Sequence, residues 1–171
     1  NPLDPFVAAI ACTIATVLLT GALHESALFR FAEGVAQPGN GHGVLALVLV
    51  LLAKLALLAG LALTSERAVV AALFAGHVVS RFGLVVTQWA GSPAADTRSL
   101  RVGALWCLVP LALLVPAGGV AFLVVPVITA ALAGFAVLRF CRQRPETAAD
   151  RPGVVQQVCE AAFYLGAALA A

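Results

Sequence analysis

Val44-Leu-Ala-Leu-Val-Leu-Val-Leu-Leu-Ala-Lys54-Leu-Ala-Leu-Leu-Ala-Gly-Leu-Ala-Leu63 holds a single charge in a run of 20 residues. A helix of about 20 apolar residues, rising ~1.5 Å per residue, crosses the ~30 Å hydrocarbon core of a bilayer. This stretch therefore reads as a membrane-crossing helix. Similar windows lie on either side of it, at Phe6–Leu23, Ala68–Trp89, Val102–Val115, Val120–Leu138 and a shorter one near Val154–Ala171. Over the 171 residues, 62% are hydrophobic and 11% charged, where a soluble domain carries roughly 25% charged residues. In lipid every backbone amide needs an internal partner. The fold class is accordingly all-α: a polytopic transmembrane helical bundle of about six spans, forming one membrane-embedded domain over residues 1–171. Pro116-Ala-Gly-Gly119 fits either a tight hairpin between the fourth and fifth windows or a kink in one helix.

The placement of charge gives an orientation. The loops Thr64–Arg67 and Pro116–Gly119 lie on the same side as both termini and hold one basic residue, Arg67. The other three loops hold seven: Arg30, Arg98, Arg101, Arg139, Arg142, Arg144 and Arg151. By the positive-inside rule the first, third and fifth loops face the cytoplasm, and the expected location is the cytoplasmic (inner) membrane. No basic residue precedes the first apolar run, so the start does not read as a signal peptide. Asn1 lacks an initiator Met, and the chain is expected to begin mid-protein. Cys12, Cys107, Cys141 and Cys159 are scattered without metal-ligand spacing and read as small apolar packing residues.

The polar chemistry gathers near the basic side. His24, Glu25 and Glu33 sit at or just beyond a membrane edge in the first loop, ahead of glycines at 39, 41 and 43. This reads as a polar connector with a turn. In the third window, His77, Arg81 and Gln88 fall at helical spacings. Arg81 either binds an anion or pairs with a neighbouring helix, since an ionisable group inside a span needs a partner or a watery cavity. Lys54 carries the same two readings. Gln156, Gln157 and Glu160, extended by Tyr164, mark the basic end of the last span as a cavity lining. Carboxylates at Glu25, Glu33, Asp150 and Glu160 beside arginine and histidine suit Mg²⁺-bound phosphate chemistry, in which one or two carboxylates share the ion with phosphate oxygens. That reading requires Glu33, Asp150, Arg81 and Glu160 to face one pocket.

Three segments resemble the cobalamin synthase (adenosylcobinamide-GDP ribazoletransferase) family. Thr20-Gly-Ala-Leu-His-Glu25 resembles the start of its acidic motif, Thr-Gly-Ala-Leu-His-x-Asp-Gly-x-x-Asp-x-x-Asp-Gly. Gly76-His-Val-Val-Ser-Arg81 resembles its Ala/Gly-His-x-x-Ser/Ala-Arg span. Asp150-Arg-Pro-Gly-Val-Val-Gln-Gln-Val-Cys-Glu160 resembles its Gly-Asp-x-x-Gly-Ala-x-Gln-Gln-x-x-Glu segment, the most specific of the three. The resemblance implies transfer of the adenosylcobinamide-phosphate moiety to α-ribazole with release of GMP, late in cobalamin biosynthesis. It implies Mg²⁺ as cofactor, with Glu33, Glu25 and Asp150 as metal ligands. Glu33, Asp150 and Glu160 would be catalytic, and His24, His77, Arg81, Gln156 and Gln157 would bind substrate. The implied partners are the corrinoid nucleotide, α-ribazole, the lipid bilayer and a second copy of the chain, and not nucleic acid.

The chain departs from the family where the acids should be. The motif's Asp positions fall on Ser26, Arg30 and Glu33, and the stretch before the glycine-rich turn is far shorter here. A cation at position 30 repels Mg²⁺. Whether this chain is an enzyme is therefore open. The alternatives are a catalytically dead membrane paralogue that binds a corrinoid or partner subunit, and a small-solute transporter lined by His77, Arg81 and Gln88.

Overall fold

A computed structural model describes residues 5–36, 39–91 and 97–171. The reading of Asn1 lies outside them. The order is α1 (Pro5–Leu19), α2 (Leu23–Val35), α3 (His42–Thr64), α4 (Glu66–Gly91), α5 (Thr97–Ala112), α6 (Leu114–Arg142), a 3₁₀ turn at Pro145–Thr147 and α7 (Arg151–Ala170). Among the described residues there is no strand. Among the described residues four helices, α3, α4, α6 and α7, are long and apolar enough to cross a membrane; α1 and α2 meet that test only together, and they are bent by 85°. Order and position follow the six apolar windows. The fourth window is served by α5, whose 16 residues fall short of the ~20 a perpendicular span needs.

The stretch read as a connector after the first window is a helix. Gly21 and Ala22 turn left-handed, at φ 60° and 54°, and α2 departs from α1 at 85°. It therefore lies across the end of the bundle, against the starts of α3 and α7. At Ser65 the chain becomes extended (φ −162°), which ends α3. The Ser65 hydroxyl then accepts the Ala68 N–H at 3.3 Å and caps α4, with Glu66 favourably placed at the positive end of the helix dipole.

The Pro116–Gly119 segment is a reversal. α4 and α5 run antiparallel, with Phe82 against Gly103 and residues 66–74 near 113–117. The long part of α6 returns antiparallel to α7, Pro126 against Gly166 and Gly134 against Cys159. Gly119, at φ 79° and ψ −171°, occupies backbone space essentially closed to side chains, so the reversal needs glycine there.

These crossings gather Arg30, Arg98, Arg101, Arg139, Arg142 and Arg151 at one end of the bundle, opposite Arg67. The centre is α7. Its apolar window is 61% buried, against 22% in α3, 28% in α4 and 22% in α6. Large apolar residues such as Leu49, Leu105, Trp106 and Leu132 point outward, the arrangement expected where the solvent is lipid. Close approach of α6 to α7 depends on Gly166, where an added Cβ would lie 2.6 Å from the Pro126 Cα and against the Thr129 hydroxyl. We expect Gly166→Leu to destabilise the bundle by about 1–3 kcal/mol through overpacking, read as a lower Tm of the detergent-solubilised protein. Gly60→Ala, at a helical position with nothing within 4 Å, should hold or raise Tm.

Candidate functional site

Five helices each contribute side chains to one buried polar cluster along the middle of α7. In α7, Gln157, Glu160 and Tyr164 are spaced to share one face, and all are buried. Lys54 of α3 reaches the first two: its ammonium donates to Gln157 Oε1 at 2.6 Å and to Glu160 Oε2 at 2.9 Å. Gln157 passes the contact on, donating from Nε2 to Glu25 Oε1 of α2 at 2.8 Å. On the other side the Tyr164 hydroxyl donates to Glu160 Oε1 at 2.9 Å. His77 of α4 places Nδ1 3.1 Å from that same oxygen and Nε2 3.1 Å from the Thr16 hydroxyl of α1. A cavity of about 20 Å³ lies among them, lined by Glu25, Lys54, His77, Glu160 and Tyr164 with Thr16 and Cys12. That is room for about one water molecule.

The hydroxyl donors of the cluster are already committed. The Thr16 hydrogen is spent on the Cys12 carbonyl at 2.8 Å and the Tyr164 hydrogen on Glu160. His77 Nδ1 also lies 3.0 Å from the Tyr164 hydroxyl oxygen, so the ring joins Thr16, Tyr164 and Glu160. The Lys54 ammonium is paired with Glu160 and hydrogen-bonded to Gln157, as a buried charge requires. Among the described residues Glu25 Oε2 is buried without a hydrogen-bond partner, which leaves the cluster one open acceptor; Gln156 Oε1, outside the cluster, is likewise unpartnered. Glu25, His77, Gln157 and Glu160 thus meet, and each of the three segments singled out in the sequence supplies at least one of them. Of the two readings for Lys54, pairing within the bundle is the one found.

The other candidates lie around this cluster. His24 is half-buried at the start of α2. Burial lowers its pKa, the Glu25 and Glu160 carboxylates oppose that, and Arg81 and Lys54 add to it. Neutral imidazole is favoured there. Arg81 and Gln88 are exposed, so the stripe expected with His77 does not line one cavity. Asp150 receives Arg30 at 2.6 and 2.8 Å. Glu33 accepts the N–H groups of Gly43 at 2.8 Å and Gly39 at 3.1 Å. These amide bonds hold its carboxyl below the usual range, Gly43 contributing most, and they fasten the glycine-rich turn that starts α3.

Glu33, Asp150 and Glu160 thus lie toward the same end but answer to different partners. Among the described residues no three of His, Cys, Asp and Glu converge as metal ligands. Both Glu33 oxygens are taken, and a guanidinium occupies Asp150. These residues do not fit a Mg²⁺ site as they stand, and no step is assigned to one. Sequence reasoning missed Thr16 and the helical nature of α2. For the helix there was a signal: positions 26, 30 and 33 fall at i, i+4 and i+7.

A family model described as cobalamin-5-phosphate synthase matches residues 1–168. An adenosylcobinamide-GDP ribazoletransferase of Polaromonas naphthalenivorans (strain CJ2) is 36% identical over 206 positions, covering 96% of this chain and 74% of the relative. Those of Albidiferax ferrireducens (strain ATCC BAA-621 / DSM 15236 / T118), at 33% over 96% of this chain and 74% of its own length, and Azorhizobium caulinodans (strain ATCC 43989 / DSM 5975 / JCM 20966 / LMG 6465 / NBRC 14845 / NCIMB 13405 / ORS 571), at 34% over 96% and 72%, are similar. The 206 aligned positions exceed the 171 residues here by 35, so at least that many face gaps in this chain. No solved structure matches.

Removing one partner of a buried ion pair costs about 3–5 kcal/mol, while removing both can be nearly neutral. Lys54→Ala should therefore lower stability far more than the double change Lys54→Met with Glu160→Leu, measured by unfolding in mixed micelles. For Glu33, whose folded pKa is depressed, the stabilisation is present above its ordinary pKa and fades as pH falls through the folded value. Amide exchange at Gly43 should lose protection at neutral pH in Glu33→Gln, and only in acid in the unaltered protein.

Proposed function

The chain belongs to the cobalamin-5-phosphate synthase family, and from that membership we propose that it acts as an adenosylcobinamide-GDP ribazoletransferase. The observation that carries the reading is the convergence of Glu25, His77, Gln157 and Glu160, from three segments distant in sequence, on one buried cluster. The α-ribazole 5′ hydroxyl attacks the cobinamide-side phosphorus of adenosylcobinamide-GDP. A new phosphorus–oxygen bond forms, the bond to the bridging oxygen breaks, and GMP leaves with that oxygen.

The neutral imidazole favoured at His24 suits it to take the proton from the attacking hydroxyl. Arg81, exposed on α4, supplies positive charge for the pyrophosphate. The buried pair Lys54–Glu160 acts at a distance by fixing where Gln157 and Glu25 stand. In this reading the whole chain is one membrane-embedded domain of the cytoplasmic membrane. Its basic end faces the cytoplasm, in keeping with the positive-inside rule, where nucleotide substrates are supplied.

Purified full chain in lipid nanodiscs, given adenosylcobinamide-GDP and α-ribazole with and without Mg²⁺, should release GMP and form cobalamin. His24→Gln should slow this by about 10²-fold or more. No GMP under either condition, from protein that unfolds cooperatively, would sink the proposal.

A further inference from the structure

A second concave surface lies away from the polar cluster, between α4 and α6 over the α7 side chains Val155 and Cys159. It is a groove of about 340 Å³. Phe82, Gly83, Ala131 and Gly134 are among its walls, the small residues keeping it deep. It offers nothing for a polar ligand to bond. The Thr87 hydroxyl donates to the Gly83 carbonyl at 2.7 Å, and the Cys159 thiol donates to the Ala130 carbonyl at 3.5 Å. Only hydrocarbon fits such a wall without leaving a polar group unpaired.

The groove is continuous with something unlike itself. Phe135 and Leu138 line its end and also line a neighbouring hollow of about 290 Å³ with Arg139, Arg142 and Gln143. Arg139 and Arg142 stand three residues apart in the last turn of α6, so they share a face. Both are exposed, and neither is in an ion pair among the described residues. Next to them Arg144 lies over the Phe140 ring, 4.9 Å from its centre. Two uncommitted guanidiniums thus cap one end of a slot that accepts only hydrocarbon. The negative end of the α6 dipole engages part of their charge, yet two full charges exceed the roughly half charge of a helix end.

We propose that this slot and its arginine cap bind one anionic phospholipid, acyl chain along the groove and phosphate on Arg139 and Arg142. A soluble phosphate would meet the arginines but leave the apolar wall bare. A zwitterionic lipid would fill the wall but bring its own cation to the arginines. The anionic lipid satisfies both halves, at the basic end of the bundle where headgroups sit.

The test uses the full chain purified in a neutral detergent. Phosphatidylglycerol, phosphatidylcholine and inorganic phosphate are titrated separately. Tm is followed, and bound lipid is counted by native mass spectrometry. Phosphatidylglycerol should raise Tm and remain bound at one per chain, and the other two should do neither. Arg139→Gln with Arg142→Gln should weaken phosphatidylglycerol binding about thirtyfold, at roughly tenfold per 1.4 kcal/mol and about 1 kcal/mol per basic residue. Ala131→Phe, which fills the slot from an exposed position, should abolish retention with both arginines intact. Equal stabilisation by phosphatidylcholine, an equal effect of inorganic phosphate, or retention unchanged in either variant would overturn the proposal. So would a chain dimer that excludes lipid from the slot.

Discussion

An ammonium and a carboxylate buried side by side, Lys54 and Glu160, 2.9 Å apart, are the constraint around which the bundle is arranged. Either charge alone at that depth would cost several kcal/mol. Together they are tolerable only while every remaining lone pair and proton is satisfied. Gln157, Tyr164 and His77 provide this, and each comes from a fixed height on α7 or α4. A register shift of one turn in any of these helices would strand a charge in hydrocarbon. The pair is thus less a source of net stability than a specification of which helix face meets which. Through Gln157 to Glu25 and through His77 to Thr16, the specification extends to α2 and α1.

The same logic explains why α7 is central although it is the least hydropathic of the four long helices. In water the most apolar helix goes inside. In lipid there is no such pull, and the helix carrying polar groups must be enclosed because hydrocarbon cannot solvate them. Glycines at 76, 134 and 166 let the neighbouring helices close around it. The purely apolar faces of α3, α5 and α6 are left to the bilayer.

At the basic end, α2 shows how a few substitutions redistribute charge. Positions 26, 30 and 33 share a face of this helix. Where the resembled motif has three acids, this chain has Ser26, whose hydroxyl bonds back to the Ala22 carbonyl at 2.7 Å, then Arg30, which engages Asp150, and Glu33, which fastens the turn at Gly39–Gly43. Each side chain is committed locally. The turn closed by Glu33 joins α2 to α3.

Much of this was legible from residue order. Run length and composition set the solvent as lipid and the backbone as helical, since hydrogen-bond satisfaction in hydrocarbon leaves few choices. The alternation of basic loops fixed which ends lie together, and the three polar segments marked the residues that meet around Glu160. What the sequence could not yield was partner choice. Lys54 was equally consistent with a bound anion or a buried pair, Arg81 was assigned to an interior stripe yet stands exposed, and Thr16 carried no mark at all. Contacts across 61 to 132 residues of chain, from Thr16 to His77 and from Glu25 to Gln157, depend on helix rotation and tilt. Those are decided only when all seven described helices pack at once, because in a lipid-filled surround the apolar pattern leaves each helix free to turn until its polar groups find one another.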